Sequence, residues 1–172
     1  MPRISKYCFI IVLILFLVGS AHAISSDIYC GFVCGPGSGL DLGAKVWLPI
    51  ELNNNKLGLE IEEFITDYNY TAQICAFKGG LTVKRPVSPE LSFSAHIGLF
   101  RLKSNKEVNL TDLSGNSQLL SANTSYKGLY GGVSIDYIMY IWDVILTPKL
   151  IVNNVDNKGS LLEFDLNIAK SF

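Results

Sequence analysis

The chain has 172 residues, which suits one domain, and a formal net charge of −1. Without residues 1–23, which include Arg3 and Lys6, 12 basic residues face 15 acidic ones, a net charge of −3. This balance excludes the basic surface that nucleic-acid binding needs. The few histidines and cysteines have no metal-ligand spacing, so we expect no metal and no cofactor.

Residues 1–23 have the three-part pattern of a secretory signal peptide. Arg3 and Lys6 precede the apolar run CFIIVLILFLV, and the small residues Ala21 and Ala23 follow it. The apolar run is shorter than the ~20 residues that a membrane-spanning helix needs. We predict cleavage after Ala23, which leaves residues 24–172 as one exported domain.

Three cysteines remain in this domain, Cys30, Cys34 and Cys75. An odd number is unusual in an exported protein. Either Cys30 and Cys34 pair through a local turn and Cys75 stays free, or all three are unpaired and pack as small apolar side chains. The sequence leaves both alternatives open.

Apolar and polar residues alternate along the rest of the chain. In the first clear segment, Leu40, Leu42 and Val46 alternate with Asp41 and Lys45. A period of two indicates strands with one apolar and one polar face, and Gly, Pro, Asn, Asp and Ser between the segments indicate turns. The predicted strands cover residues 27–34, 39–48, 57–67, 72–84, 91–103, 126–138, 141–153 and 161–172.

Eight strands joined by reversals place both termini on the same side. Short turns would lie on that side and longer loops on the other, as in outer-membrane barrels. The longest loop, 104–125, is mostly polar, and a loop of this length has its own function or is flexible. Within it, Leu113, Leu119 and Leu120 either anchor the loop or meet a partner.

The composition of the polar faces distinguishes two kinds of barrel. A soluble lipocalin-like carrier of an apolar ligand would place its apolar faces inside, whereas a membrane barrel places them outside. The polar faces are rich in small residues, namely Gly43, Gly58, Ser92, Ser94, Gly98, Gly128, Gly132 and Ser134. Because eight strands enclose a narrow interior, this favours an all-β, eight-stranded antiparallel up-and-down transmembrane barrel with its polar faces inside.

Charged residues on the polar faces then predict a paired network that plugs the barrel, an ion path being the alternative. Acids outnumber bases, so we expect several carboxylates at the wet rims. The predicted network contains Asp41, Lys45, Glu60, Glu62, Lys78, His96, Asp136, Asp143, Lys149, Glu163 and Asp165.

Three residues disturb the alternation. Glu63 directly follows Glu62, which predicts a β-bulge. Trp47 falls on the polar face, and Pro148 removes a hydrogen bond from its strand.

The chain ends in FDLNIAKSF, with apolar residues at Phe164, Leu166, Ile168 and Phe172. This segment resembles the C-terminal strand that the assembly machinery of bacterial outer-membrane barrels reads, although Lys170 departs from the pattern. Residues 24–172 as a whole resemble the small eight-stranded barrels of the outer-membrane protein A and opacity-protein class. The resemblance implies the outer membrane of a Gram-negative bacterium, with membrane lipid and the barrel-assembly machinery as partners.

The expected function is non-enzymatic, with loop 104–125 acting in adhesion, host contact or envelope integrity. The alternative function is a lipid-A-modifying enzyme centred on His96, because some small barrels are enzymes of this kind with a clustered histidine, serine and carboxylate. A hydrogen-bonded interior histidine is the simpler interpretation, and the sequence around His96 lacks a deacylase signature.

Overall fold

The structure is a computed structural model that describes residues 25–34, 38–68, 72–139, 144–156 and 159–171. The predicted signal peptide, Asp143 and Phe172 lie outside these residues. No helix in the described ranges is long and apolar enough to cross a bilayer. The strands are β1 (Ser25–Cys34), β2 (Ser38–Leu52), β3 (Asn55–Tyr68), β4 (Ala72–Pro86), β5 (Leu91–Ser104), β6 (Val108–Thr111), β7 (Ser117–Leu120), β8 (Ser125–Met139), β9 (Val144–Val155) and β10 (Gly159–Ser171).

Eight of these strands form a closed barrel in the order β1-β10-β9-β8-β5-β4-β3-β2. Every neighbouring pair is antiparallel, and the first and last strands close the barrel, for example through the pair Phe32 and Leu166. The predicted all-β, eight-stranded antiparallel fold is therefore confirmed. Strand β1 begins at Ser25, two residues before the predicted start.

The two remaining strands pair with each other inside the long loop. We call residues 105–124, which contain β6 and β7, the loop hairpin. The end of the barrel from which it projects is the hairpin end, and the opposite end, where β1 begins and β10 finishes, is the termini end. The sequence predicted the position of this loop but not its strands.

The apolar faces of the barrel strands point outward. Leu99, Leu129, Phe164 and Leu166 are among the exposed large hydrophobic side chains, whereas the polar residues between them are buried. This arrangement contradicts a lipocalin-like carrier, whose apolar faces would line the interior.

Aromatic side chains fill the interior by lying over glycines of the neighbouring strand. Tyr29 lies over Gly43 and Trp47 over Gly58. Trp47 points inward, and its Nε1 donates a hydrogen bond to Asp27 Oδ2 over 2.6 Å. Trp47 therefore does not disturb the alternation of the strand, because its ring fills the space that Gly58 leaves open inside the barrel.

The irregularities differ from those that the sequence predicted. Glu63 pairs in register with Leu42 and Phe77, so the predicted bulge is absent. The register of β2 and β3 shifts instead between Trp47 and Glu51, on either side of residues 48–50. That segment contains a proline, which cannot donate to the ladder.

Pro148 lies where the pairing of β8 and β9 is interrupted. The pair Ser134–Lys149 is followed by Tyr137–Leu146, and the intervening residues are unpaired across this seam. On its other side Pro148 remains in register with Leu166 of β10.

The turns that the structure describes at the termini end, residues 53–54 and 87–90, are short, and the long loop hairpin projects from the opposite end, where the sequence predicts it. The two-residue turn at Asn53 and Asn54 has φ of 52° and 64°, the left-handed conformation that a tight β-hairpin needs.

The three cysteines in the described part of the chain, Cys30, Cys34 and Cys75, are free. Cys30 and Cys34 lie on one strand, where four residues span ~13 Å. A disulfide needs Cα atoms less than ~7 Å apart. The alternative in which these two cysteines pair is therefore wrong.

Candidate functional site

Ten of the eleven residues predicted to form the interior network are described, and all ten are buried inside the barrel. Asp143 lies outside the described residues. The expectation that several of the carboxylates lie at wet rims is wrong for the described members, because they are enclosed and most meet a cation or a hydrogen-bond donor there.

Glu62 of β3 is the centre of the network. Its carboxylate accepts hydrogen bonds from Lys78 Nζ over 2.8 Å, Lys149 Nζ over 2.6 Å and the Tyr29 hydroxyl over 2.9 Å. These donors come from three other strands, so one carboxylate links opposite sides of the wall. Lys78 also contacts Glu163, which accepts a second bond from Asn153 Nδ2 over 2.8 Å.

His96 of β5 lies between a carboxylate and a hydroxyl. Its Nδ1 is 2.9 Å from Glu60 Oε2, and its Nε2 is 2.9 Å from Ser134 Oγ. The Tyr130 hydroxyl donates to the other Glu60 oxygen over 2.9 Å. These distances match the hydrogen-bonded order of serine, histidine and carboxylate in hydrolases, but the Ser134 side chain is enclosed in the interior.

The sequence did not identify Ser134 as a partner of His96. The serines that precede His96 on its own polar face, Ser92 and Ser94, are the nearest in sequence, but the Ser94 hydroxyl donates to Asp136 over 3.2 Å. Ser134 is close because β8 pairs with β5, where His96 is opposite Gly132. Only the pairing of β5 with β8 across a 20-residue loop would have identified Ser134 as the partner of His96.

Asp136 organises the layer nearest the termini end. It accepts hydrogen bonds from Ser94 and from Thr147 over 3.0 Å, and Lys84 Nζ lies 3.0 Å from it. Lys45 lies nearby in the same layer, with its Nζ 5.4 Å from the centre of the Tyr29 ring. The enclosed space between these side chains is about 10 Å³, roughly enough for one water molecule.

Asp41 and Asp165 are the exceptions in the network. Among the described residues, neither oxygen of either carboxylate has a hydrogen-bond partner, and both side chains are buried.

The loop hairpin covers the hairpin end of the barrel interior. Val108, Leu110 and Leu120 are buried in one apolar cluster with side chains of the wall such as Ile74 and Leu102. The Leu113 amide also donates to the Ser160 carbonyl over 2.8 Å, which attaches the hairpin tip to β10. Leu120 thus anchors the loop, whereas Leu113 and Leu119 are exposed.

The tip of the loop hairpin is held by Asp112. Its Oδ1 accepts hydrogen bonds from the amides of Asn116 over 2.8 Å and Ser114 over 2.9 Å. These bonds to the ionised form lower the pKa of the Asp112 carboxyl below its ordinary value, the bond from the Asn116 amide having the largest effect.

The predicted assembly residues of β10 face outward. Phe164, Leu166 and Ile168 alternate with buried Glu163, Asp165 and Asn167, and Phe172 lies outside the described residues. Lys170 is exposed near the termini end.

No family model matches the chain, and no curated protein matches it. Solved structures do. Ail, the attachment invasion locus protein of Yersinia pestis, matches with a TM-score of 0.55 at 12% identity, over 87% of this chain and 99% of Ail. A major outer-membrane protein of Thermus thermophilus gives 0.54 at 14%, over 88% and 100%. Neisserial surface protein A gives 0.50 at 10%, over 86% and 94%. The chain therefore has the fold of small eight-stranded outer-membrane β-barrels.

Proposed function

We propose that this chain is an integral outer-membrane β-barrel whose outward apolar faces lie in lipid. The observation that carries the proposal is the exterior itself. Large hydrophobic side chains are exposed on every barrel strand, for example Phe32, Leu59, Leu99 and Leu166. Soluble monomers rarely expose apolar patches above a few hundred Å², and barrel strands of 10 to 15 residues are long enough to span a bilayer.

In this proposal the loop hairpin lies outside the cell and the termini end faces the periplasm. Longer loops of bacterial barrels are extracellular and their shorter turns periplasmic. An exported chain that enters from the periplasm, as residues 1–23 predict, places both of its termini there.

The barrel works as a closed support for the loop hairpin rather than as a pore. Two layers of side chains support this closure: the ion-paired layer around Glu62, and the apolar layer in which Leu120 is buried. The hairpin presents Leu113 and Leu119 with polar neighbours, a surface suited to contact with a host or envelope partner. The name of Ail states an attachment role, and we extend only that class of role to this chain.

Location and topology can be tested with single cysteines, after replacement of the native Cys30, Cys34 and Cys75 by serine. We expect a membrane-impermeant maleimide to label Leu119→Cys on intact cells. The matched control Ser88→Cys, in the exposed turn at the termini end, is labelled only after lysis. Labelling of Ser88→Cys alone on intact cells would reverse the topology. Recovery of the protein in the aqueous fraction without detergent would overturn the membrane assignment.

Closure can be tested in planar bilayers. We expect the purified barrel to give no steady conductance, since the layers around Glu62 and Leu120 fill the interior. A stable, reproducible conductance step from the folded protein would favour the ion path instead.

A lipid-modifying hydrolase is the second candidate, favoured by the chain of contacts from Glu60 through His96 to Ser134. It ranks second because Ser134 is 3% exposed, so an ester could reach Oγ only after rearrangement of the wall. Its test compares lipid-A mass spectra of cells that produce the wild type, Ser134→Ala or His96→Ala. A product that is present with the wild type and absent with both variants would establish the hydrolase. Identical spectra would exclude it.

A further inference from the structure

We propose that Asp41, Glu62 and Asp165 form a binding site for one divalent cation of the calcium type inside the barrel, completed by the side-chain oxygen of Asn167. One ligand oxygen from each carboxylate lies within 4.8 Å of the others, and all three residues are buried. Opposite ligands of a Ca²⁺ ion, each at ~2.3–2.6 Å, are ~4.6–5.2 Å apart. The separations of the three carboxylates are therefore within the range that one shared ion requires.

Asn167 supplies an independent observation that points to a ligand. Its side chain is 2% exposed, and its Oδ1 has no hydrogen-bond partner among the described residues. Asn167 and Asp41 lie on opposite sides of Gly31 in register. Oδ1 is turned into the space that Gly31 leaves, because it lies 2.0 Å from where a Cβ atom at Gly31 would be. The side chain of Asn167 thus lies across a residue without a side chain from Asp41.

The donor atoms fit a hard cation. The unpartnered atoms are the four carboxylate oxygens of Asp41 and Asp165 and the amide oxygen of Asn167. Carboxylate and amide oxygens are the ligands of Ca²⁺, and the site offers no nitrogen or sulfur that would favour zinc or copper. Calcium takes six to eight oxygens in flexible geometry, which these five and Glu62 can provide.

The side chains inside the barrel have an excess of negative charge that a cation would balance. Four lysines, of which Lys84 is the most exposed, face seven buried carboxylates among the described residues: Asp27, Asp41, Glu60, Glu62, Asp136, Glu163 and Asp165. Lys78 and Lys149 approach the site but bond to Glu62, and Lys78 also contacts Glu163. An unpaired ionised carboxylate is very costly in such an enclosure, so Asp41 and Asp165 need either a cation or protons.

The ion would be bound as the barrel closes, so the test loads it during folding. The protein is refolded from urea into detergent with Ca²⁺, dialysed against metal-free buffer and analysed for metal. We expect one calcium per folded chain in the wild type and in the control Asp156→Asn, which removes an exposed acid. Asp165→Asn and Asp41→Asn, each verified as folded by its heat-dependent gel mobility, should lose at least tenfold of the bound calcium.

Terbium gives a second readout, because it replaces calcium and emits when a nearby tyrosine is excited. The Tyr29 hydroxyl donates to Glu62, so protein refolded with Tb³⁺ should show tyrosine-excited emission that Tyr29→Phe reduces. The proposal would be overturned by a folded wild type that holds less than a tenth of an equivalent of calcium and shows no such emission. Asp41 and Asp165 would then carry protons instead of a metal ion. Calcium retained by folded Asp165→Asn would also overturn it and indicate adventitious surface binding.

Discussion

Tyr29 lies directly against the backbone of Gly43 on the neighbouring strand. A Cβ atom added at Gly43 would be 2.2 Å from Cζ of the ring, while the Tyr29 hydroxyl is held by Glu62. The absent side chain at position 43 therefore creates the space from which Tyr29 reaches the central carboxylate.

Gly43→Ala should destabilise the barrel by about 1–3 kcal/mol, the usual cost of overpacking, because the ring cannot withdraw without breaking its bond to Glu62. Urea unfolding in detergent, followed by gel mobility without heating, measures the change. Gly131→Ala is the matched control, since its new methyl group meets only the His96 carbonyl oxygen at 3.8 Å. Equal stability of the two variants would show that Tyr29 is not packed on Gly43.

Glu62→Gln should cost about 3–5 kcal/mol, the range seen when one partner of a buried ion pair is removed. The substitution keeps the shape of the side chain but leaves Lys78 and Lys149 without their shared negative charge. The same unfolding measurement applies. Glu51→Gln, which removes an exposed pair of 3.9 Å with Lys56, should change stability by less than about 0.5 kcal/mol. A change that small for Glu62→Gln as well would contradict the ion-paired layer.

Adjacent leucines of the loop hairpin should respond in opposite ways. Leu120 is 1% exposed and Leu119 is 45% exposed. Leu120→Ala should cost about 2–5 kcal/mol and increase protease cleavage of the hairpin, because it leaves a cavity in the apolar cluster. Leu119→Ala should leave both properties close to wild type and reduce contact with a partner instead. The interpretation fails if Leu119→Ala opens the hairpin and Leu120→Ala does not.

The tip of the loop hairpin should open in acid. The pKa of Asp112 is lowered by its bonds to the Asn116 and Ser114 amides. The stability that its carboxylate gives to the folded tip is therefore fully present above the pKa of an unfolded aspartate. It is lost as pH falls through the lower, folded value. A nuclear magnetic resonance titration of these two amides in micelles should show a midpoint below that of an unperturbed aspartate. Asp112→Asn should abolish this transition, and a midpoint at the ordinary value would contradict the capping.

The sequence was informative about the wall because strand periodicity depends on near neighbours. Leu40, Asp41 and Leu42 already show which side of β2 is polar, and the same reasoning located the eight strands. The bulge predicted at Glu63 was wrong. Two adjacent acids look like a bulge unless it is known that Glu63 faces outward and Glu62 bonds to Lys78.

Contacts across the interior were harder to foresee. Their partners depend on register and on the closure of the barrel, as in the bonds from His96 to Glu60 and Ser134. The loop hairpin was missed because its strands have four residues each, too short for periodicity to stand out among polar neighbours.

In the proposed function, the apolar faces contact lipid while polar groups fill the interior. Spin labels on single cysteines at Leu129 and Leu166, in the cysteine-free background and in lipid vesicles, test this claim without disturbing the network. We expect both labels to collide more with oxygen, which is enriched in lipid, than with a water-soluble nickel complex. Labels that collide mainly with nickel, or that neither reagent reaches, would place these leucines in water or in a protein core and contradict the contact with lipid.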